Sequence, residues 1–206
     1  MFEQTISDTA RREIERVEKL VAGATDAWAI PRVSAEFLHV LVLAGGHRRG
    51  LEIGTSYGYS GLWLGAALMH NGGALTTIDR NSGKVKAARE TFSSAGLAET
   101  IDVLGGKAGD VLESIEGPFD FVFIDADKEN CRRYFDLVWP QLGHRATIIT
   151  DNVTTHAHEL AEFLAHLRGH PQLCSTLVPI GSGLEVTVKL DPFAPTTSID
   201  GADWVI

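Results

Sequence analysis

Cysteine is scarce in this sequence: Cys131 and Cys174 are the only two among 206 residues. Two cysteines cannot form the disulfide framework that holds many small secreted domains together. The N-terminal segment, MFEQTISDTARREIERVEKL, is strongly charged and lacks the apolar stretch of a secretory signal peptide. Both absences predict a protein of the reducing cytoplasm.

Long apolar runs are also missing. No segment approaches the ~20 uninterrupted apolar residues that a membrane-spanning helix needs, so we expect no membrane association. Basic residues are outnumbered, 18 against 27 acidic, which leaves a net charge of −9. This charge argues against a broad surface for nucleic acid, although a local basic site is compatible with it. The 44% hydrophobic content is typical of a globular chain, and we predict a single domain over residues 1–206.

From residue 50 onward, short apolar runs alternate with helix-like segments. The predicted strands of this part are 50–53, 74–78, 101–104, 119–124 and 146–150, and the predicted helices are 60–70, 84–95, 110–115, 129–137 and 155–167. This alternation predicts an α/β fold, a Rossmann-like doubly wound sheet that is mostly parallel and has helices on both faces. Two further runs, 173–180 and 184–190, flank a Gly-Ser-Gly turn and predict an antiparallel hairpin, which makes seven strands.

The two ends of the chain differ from this alternating core, which we assign to residues 46–190. Residues 1–45 contain two helix-like patterns, at 10–21 and 34–43, and we predict two N-terminal helices there. The proline-containing segment 191–206 is predicted to be an extended tail.

Oxygen-bearing side chains follow two of the predicted strands. Asp125 ends the run FVFID, and Asp151 and Asn152 end the run TIITDN. If these strands are neighbours in a parallel sheet, the three side chains converge at the edge where α/β proteins bind ligands. Two carboxylates and an amide are hard donors that suit Mg²⁺, Ca²⁺ or Mn²⁺ rather than zinc. The alternative interpretation is that each aspartate only caps the helix that follows it.

A glycine-rich turn, LEIGTSYGYSG, follows the first strand of the core. Gly54 would allow a tight turn and a close approach of a ligand to the backbone. Ser56 stands where a dinucleotide-binding motif has its second glycine, so that motif is not matched. The next strand ends in Asp79, and a carboxylate there can accept hydrogen bonds from a ribose diol. A nucleoside site is therefore predicted, with a purely structural turn as the alternative.

Together, the segments LEIGTSYGYS, TTIDRN, FDFVFIDADKENCRRYFDLVWPQL and IITDNV resemble the class I S-adenosylmethionine-dependent O-methyltransferases. The similar branch is the cation-dependent group that includes the catechol and caffeoyl-CoA O-methyltransferases. The resemblance runs from about Ala29 to Leu190. It implies S-adenosylmethionine and a divalent cation as cofactors, with Mg²⁺ expected before Ca²⁺ or Mn²⁺, and a homodimer.

The resemblance also implies roles for individual residues. The metal ligands are Asp125, Asp151 and Asn152, and the general base is Lys128. The S-adenosylmethionine site is formed by Glu52, Gly54, Ser60, Asp79 and Ala108, and Asp125 borders it. Lys128 could instead be a solvated lysine of a first helical turn. His156 and His158 either line the acceptor pocket or are solvated at a helix start.

The implied function is transfer of a methyl group from S-adenosylmethionine to a hydroxyl of a small phenolic or catechol-like acceptor. Three alternatives are a methyltransferase of hydroxylated tRNA bases, a nicotinamide oxidoreductase and a non-catalytic binding module. The glycine spacing disfavours the oxidoreductase, and the net charge disfavours tRNA. The tRNA alternative would gain support if seven basic residues formed one patch beside the pocket, namely Arg11, Arg12, Arg16, Lys19, Arg32, Arg48 and Arg49.

Overall fold

Seven strands form one sheet in a computed structural model of the chain, which describes residues 2–191. The predicted tail, apart from Asp191, lies outside the described residues. The strands are β1 (Arg49–Ile53), β2 (Ala74–Asp79), β3 (Ile101–Gly105), β4 (Phe119–Ile124), β5 (Leu142–Thr150), β6 (Leu173–Val178) and β7 (Leu184–Lys189). Their order in the sheet is β3-β2-β1-β4-β5-β7-β6. The first five strands are parallel, and β7 runs antiparallel to both β5 and β6, so the predicted fold class is confirmed.

Helices cover both faces of this sheet. They are α1 (Asp8–Gly23), α2 (Arg32–Gly45), α3 (Tyr59–His70), α4 (Ser82–Ser94), α5 (Ala108–Leu112), α6 (Cys131–Val138) and α7 (Ala161–Gly169). Helices α1 to α4 pack on one face together with Phe121 and Phe123 of β4. Helices α5 to α7 pack on the other face with Val122 and Ile124, because successive side chains of a strand point to opposite faces. Within residues 2–191, none of these helices is long and apolar enough to cross a bilayer.

One predicted helix begins later than expected. The pattern predicted a helix from residue 155, but residues 153–160 form turns and α7 begins at Ala161. The backbone N–H groups of Val153 and Thr154 donate to the carbonyl oxygens of Gly183 and Ser182, at 3.1 and 3.0 Å. The β6–β7 turn therefore holds the start of this segment, which forms turns with isolated helix-type bonds, such as His156 N–H to Asn152 O at 2.8 Å, before the regular helix begins.

The register of four neighbouring strands puts their ends at one level. Ile78 of β2 is paired with Ile53 of β1, Ile53 with Ile124 of β4, and Ile124 with Thr150 of β5. The residues that end β2 and follow the other three strands are Asp79, Gly54, Asp125 and Asp151. These four residues therefore form a row along the carboxyl edge of the sheet. The row crosses the gap between β1 and β4, where the chain order of the strands reverses and open α/β sheets form their binding crevice.

Candidate active site

A cleft of about 750 Å³ opens above this row, a size in the range of ordinary ligand pockets. Six of the nine predicted site residues line it: Gly54, Asp79, Ala108, Asp125, Lys128 and Asn152. The other three, Glu52, Ser60 and Asp151, are buried. The structure thus brings the predicted nucleoside residues and the predicted cation residues to one cleft. Their individual roles stay predictions.

Gly54 connects the two halves of the cleft. Its φ angle is +114°, and a Cβ atom on it would lie 2.0 Å from the carbonyl oxygen of Asp125. Any side chain at position 54 would therefore push the β4 loop away. The predicted tight turn is present, and the close approach at Gly54 is made by the protein's own backbone.

Asp79 is held by two backbone N–H groups. Ser56 donates to its Oδ2 at 2.7 Å, and Asn81 donates to its Oδ1 at 2.8 Å. Ser56 has a φ of +48°, a left-handed conformation that glycine adopts more readily, and this conformation directs its N–H at the carboxylate. A carboxylate offers about four acceptor positions, so both oxygens keep free lone pairs toward the cleft. This arrangement fits a ribose diol.

Glu52 lies beneath the glycine turn and is fully buried. Thr77 donates to its Oε2 at 2.6 Å, whereas Oε1 accepts no hydrogen bond from the described part of the chain. Burial raises the pKa of Glu52 to about 7, although the hydroxyls of Ser60 and Thr77 partly oppose this. Gly61, in the first turn of α3, approaches the same carboxyl group: a Cβ there would lie 3.3 Å from Oε2. Glu52 and Ser60 therefore support the turn from below.

The predicted cation residues lie at the other half of the cleft. Asp125 and Asp151 follow neighbouring strands, and Asp151 is only 1% exposed. Burial raises the pKa of Asp125 to about 6; the charge of Lys128 opposes this rise, and the charge of Asp151 adds to it. Burial also raises the pKa of Asp151. Asn152 has a φ of +65°, a strained backbone of the kind that clusters at functional sites.

Lys128 lies in a short 3-10 turn, Lys128–Asn130, rather than in α6 itself. Its Nζ is 3.3 Å from Asp125 Oδ1, and its side chain is 13% exposed. It is therefore not the freely solvated lysine of the alternative interpretation. His156 lines the same cleft, while His158 is exposed.

The donor chemistry of this half fits a hard divalent cation. Asp125, whose side chain is 17% exposed, and the buried Asp151 follow neighbouring strands, and shielding their negative charges from water is costly unless a positive charge offsets them. Within residues 2–191, no three side chains among His, Cys, Asp and Glu converge as a metal site. The predicted ligand set consists of two aspartates and one asparagine, so this absence does not bear on it. The cation stays a prediction.

From the sequence, Trp28 is expected in the core, with a substrate lid or a dimer contact as alternatives; it is instead 85% exposed and lines the cleft, so the core placement is wrong. Sequence reasoning missed several contacts around the cleft, among them those that hold the loop of Trp28 through Asp26. Tyr57 donates to the carboxylate of Asp26 at 3.1 Å, and Lys84 donates to its backbone oxygen at 2.6 Å. Ser182, from the β6–β7 turn, donates to Asp151 at 2.8 Å. Each of these contacts joins residues more than 25 positions apart, so it cannot be predicted from a local sequence pattern.

A carboxylate one strand beyond a glycine turn, at the switch point of a doubly wound sheet, is typical of nucleoside-binding α/β folds. Residues 6–190 match the O-methyltransferase family, and the chain belongs to that family. It is 37% identical over 146 residues to a catechol O-methyltransferase from Mycobacterium tuberculosis, a match that covers 68% of this chain and 66% of that relative. The match therefore spans slightly less than two thirds of the relative's length.

Solved structures show the same relationship. The O-methyltransferase from Bacillus cereus in complex with SAH has a TM-score of 0.79 and 28% identity, over 92% of this chain and all of the other. The O-methyltransferase TomG from Streptomyces achromogenes, in complex with SAM, has a TM-score of 0.78 and 25% identity, over 92% and 93% of the two chains.

Gly54→Ala tests the connection between the two halves of the cleft. We expect it to lower the free energy of unfolding by about 2–4 kcal/mol, the sum of left-handed strain and overpacking against Asp125. Gly72→Ala is the matched control, because Gly72 has a φ of +72° but open space around it. It should cost only about 1 kcal/mol. Urea unfolding measures both, and equal losses in the two variants would contradict the packing argument.

Glu52 predicts a pH dependence of stability. Its carboxyl group stays protonated up to about pH 7 in the folded chain and ionises near its usual pKa of 4.5 in the unfolded chain. The folded chain then binds more protons between these values, so the free energy of unfolding falls as the pH rises from about 4.5 to 7. The fall is on the order of 3 kcal/mol.

Glu52→Gln should remove this contribution, which is about half of the total fall. It should leave the comparable part that Asp125 contributes with the same sign, because the pKa of Asp125 rises from 3.8 to about 6. Glu99→Gln, at an exposed position, should keep the wild-type slope. The measurement is urea unfolding of the three chains at several pH values. A Glu52→Gln chain with an unchanged slope would show that Glu52 is not the group responsible.

Proposed function

We propose that this protein transfers a methyl group from S-adenosylmethionine to a hydroxyl of a small phenolic or catechol-like acceptor. In this proposal Asp125, Asp151 and Asn152 hold a divalent cation, with Mg²⁺ the first choice. The observation that carries the proposal is the row along the sheet edge, because it places Asp79 and Asp125 in one cleft and the buried Asp151 beside Asp125 on the neighbouring strand. The printed name of the Mycobacterium tuberculosis relative agrees with this substrate class.

Asp79 and Ala108 would hold the nucleoside half of the cofactor. S-adenosylmethionine, when bound, supplies a methyl group that is already activated on a sulfonium centre. Asp79 would accept hydrogen bonds from the ribose hydroxyls with the lone pairs that Ser56 and Asn81 leave free. Ala108 would border the adenine. Glu52 and Ser60, behind the lining, keep the glycine turn in shape. This side of the cleft therefore contributes binding and orientation.

The acid half of the cleft would orient the acceptor. A divalent cation, when bound there, supplies positive charge that favours the ionised form of an acceptor hydroxyl. Lys128, whose Nζ lies in the cleft beside Asp125, would receive the hydroxyl proton in its neutral amine form. Methyl transfer is an in-line displacement, so the acceptor oxygen must face the S–CH₃ bond from the opposite side. Holding two reactants in such geometry contributes ~7–11 kcal/mol to catalysis.

The described residues lend no support to the tRNA alternative. Three of the seven basic residues are paired: Arg11 with Asp8, Arg16 with Glu13, and Arg32 with Glu36. Arg48 and Arg49 lie at the start of β1, at the sheet edge opposite the cleft. The cleft itself is lined by a balanced set of charges, the basic Arg80, Lys84, Lys107, Lys128 and Arg133 and the acidic Asp79, Asp110, Asp125 and Asp127. A small acceptor therefore stays the favoured substrate, and the homodimer and the cytoplasmic location stay predictions.

Asp79→Ala tests the cofactor half. We expect S-adenosylmethionine to bind to the wild-type chain and binding to be lost in Asp79→Ala, since the ribose acceptor is removed. Asp102→Ala, an exposed aspartate on β3, should bind as the wild type does. Isothermal titration calorimetry measures all three chains. Unchanged affinity in Asp79→Ala would overturn the cofactor assignment.

A chelator tests the acid half. Methylation of a panel of catechols should stop when the chelator is added and return with excess Mg²⁺, because the acceptor hydroxyl then regains its charge partner. Product formation followed by mass spectrometry measures this, and the panel should include monophenols and bulk tRNA. Methylation that continues unchanged in the presence of the chelator would refute the role of the cation.

A further inference from the structure

The turn between β6 and β7 reaches back into the candidate active site. It spans residues 179–183 and ends in Gly181, Ser182 and Gly183, of which only Ser182 has a side chain. That side chain donates a hydrogen bond from its Oγ to Asp151 Oδ1 at 2.8 Å. Within residues 2–191 this is the one side-chain hydrogen bond that the Asp151 carboxylate accepts, and Asp151 is 1% exposed. Ser182 thus restricts the orientation of a carboxylate that solvent hardly reaches.

Both glycines of the turn are required by close packing. A Cβ on Gly181 would lie 2.2 Å from the Oγ of Ser34, and a Cβ on Gly183 would lie 2.1 Å from the Oγ1 of Thr154. The φ angles of the two glycines, +56° and +83°, are also left-handed. The turn therefore lies closer to its neighbours than any larger residue would allow, which fixes the position of Ser182.

Backbone hydrogen bonds hold the turn to the segment that follows Asp151. The carbonyl oxygen of Ser182 accepts from the N–H of Thr154 at 3.0 Å, and that of Gly183 accepts from Val153 at 3.1 Å. The hydroxyl bond to Asp151 and these backbone bonds act on the same short loop. The turn therefore fixes both the carboxylate and the backbone that presents it.

We propose that Ser182 is a positioning residue, which orients the Asp151 carboxylate for a divalent cation. This inference rests on the proposed function, in which Asp151 is a cation ligand. Carboxylates that bind metal ions are themselves held by hydrogen bonds from surrounding groups, and loss of such a partner typically costs 10–100-fold in metal affinity. Among the described residues, the Ser182 hydroxyl donates only to Asp151, and Ser182 does not line the cleft.

Mn²⁺ binding, titrated by electron paramagnetic resonance, tests the inference without turnover. We expect Ser182→Ala to weaken Mn²⁺ binding about 10–100-fold. Ser182→Thr, which keeps the hydroxyl, should recover most of the affinity. Ser114→Ala removes an exposed hydroxyl from the segment between α5 and β4, outside the residues that line the cleft, and should bind Mn²⁺ as the wild type does. Wild-type affinity in Ser182→Ala would overturn the role of Ser182.

Two readouts separate this inference from the function on which it rests. S-adenosylmethionine affinity should be the same in Ser182→Ala as in the wild type, because Ser182 lies outside the cofactor half; a parallel loss of both ligands would mean general damage to the fold and would contradict a positioning role. A wild-type chain that binds no Mn²⁺ would overturn the cation site itself, and the role of Ser182 with it. If Ser182→Ala does not fold, Ser182→Cys, a near isostere with a weak donor, should show the loss of Mn²⁺ affinity instead.

Discussion

The candidate site depends on one feature of the sheet, the backbone ladder that continues one residue beyond its strands. Gly54 donates to the carbonyl oxygen of Ile78, Asp125 to that of Ile53, and Asp151 to that of Ile124, at 3.0, 2.9 and 3.1 Å. Each bond fixes the first residue after a strand against its neighbour. The glycine turn, the β4 loop and the β5 loop therefore begin at one level, and side chains from distant parts of the sequence share one cleft.

That cleft concentrates features that cost stability. Burial raises the pKa values of Glu52, Asp125 and Asp151, and Ser56 and Asn152 have left-handed backbones that glycine would adopt more easily. Buried acids and strained residues are expensive to maintain in a folded chain, and they cluster where the structure serves a ligand. The concentration of these acids and strained residues at one sheet edge supports a binding site there.

Much of this could be predicted from the sequence, because the strongest signals are local. The apolar runs of β4 and β5 marked buried strands, and the polar residues that end them marked the sheet edge. The same reasoning failed where tertiary contacts decide the outcome. Residues 153–160 have a helical pattern, but the first three of them bond to the β6–β7 turn, and Ser182 donates to Asp151 from 31 positions away. The tight turn was predicted from Gly54, whereas the close approach of Gly54 to the Asp125 backbone is visible only in the folded structure.

The central claim is that the nucleoside half and the acid half form one site. The most direct measurement is nuclear magnetic resonance of S-adenosylmethionine carrying a ¹³C-labelled methyl group, bound to the protein with Mn²⁺. In the proposed complex, a cation held by Asp125 and Asp151 would lie close to the transferred methyl group, so the methyl resonance should broaden strongly. Asp151→Asn should restore a sharp resonance from the bound cofactor. A methyl resonance that stays sharp while Mn²⁺ and cofactor are both bound would contradict the account.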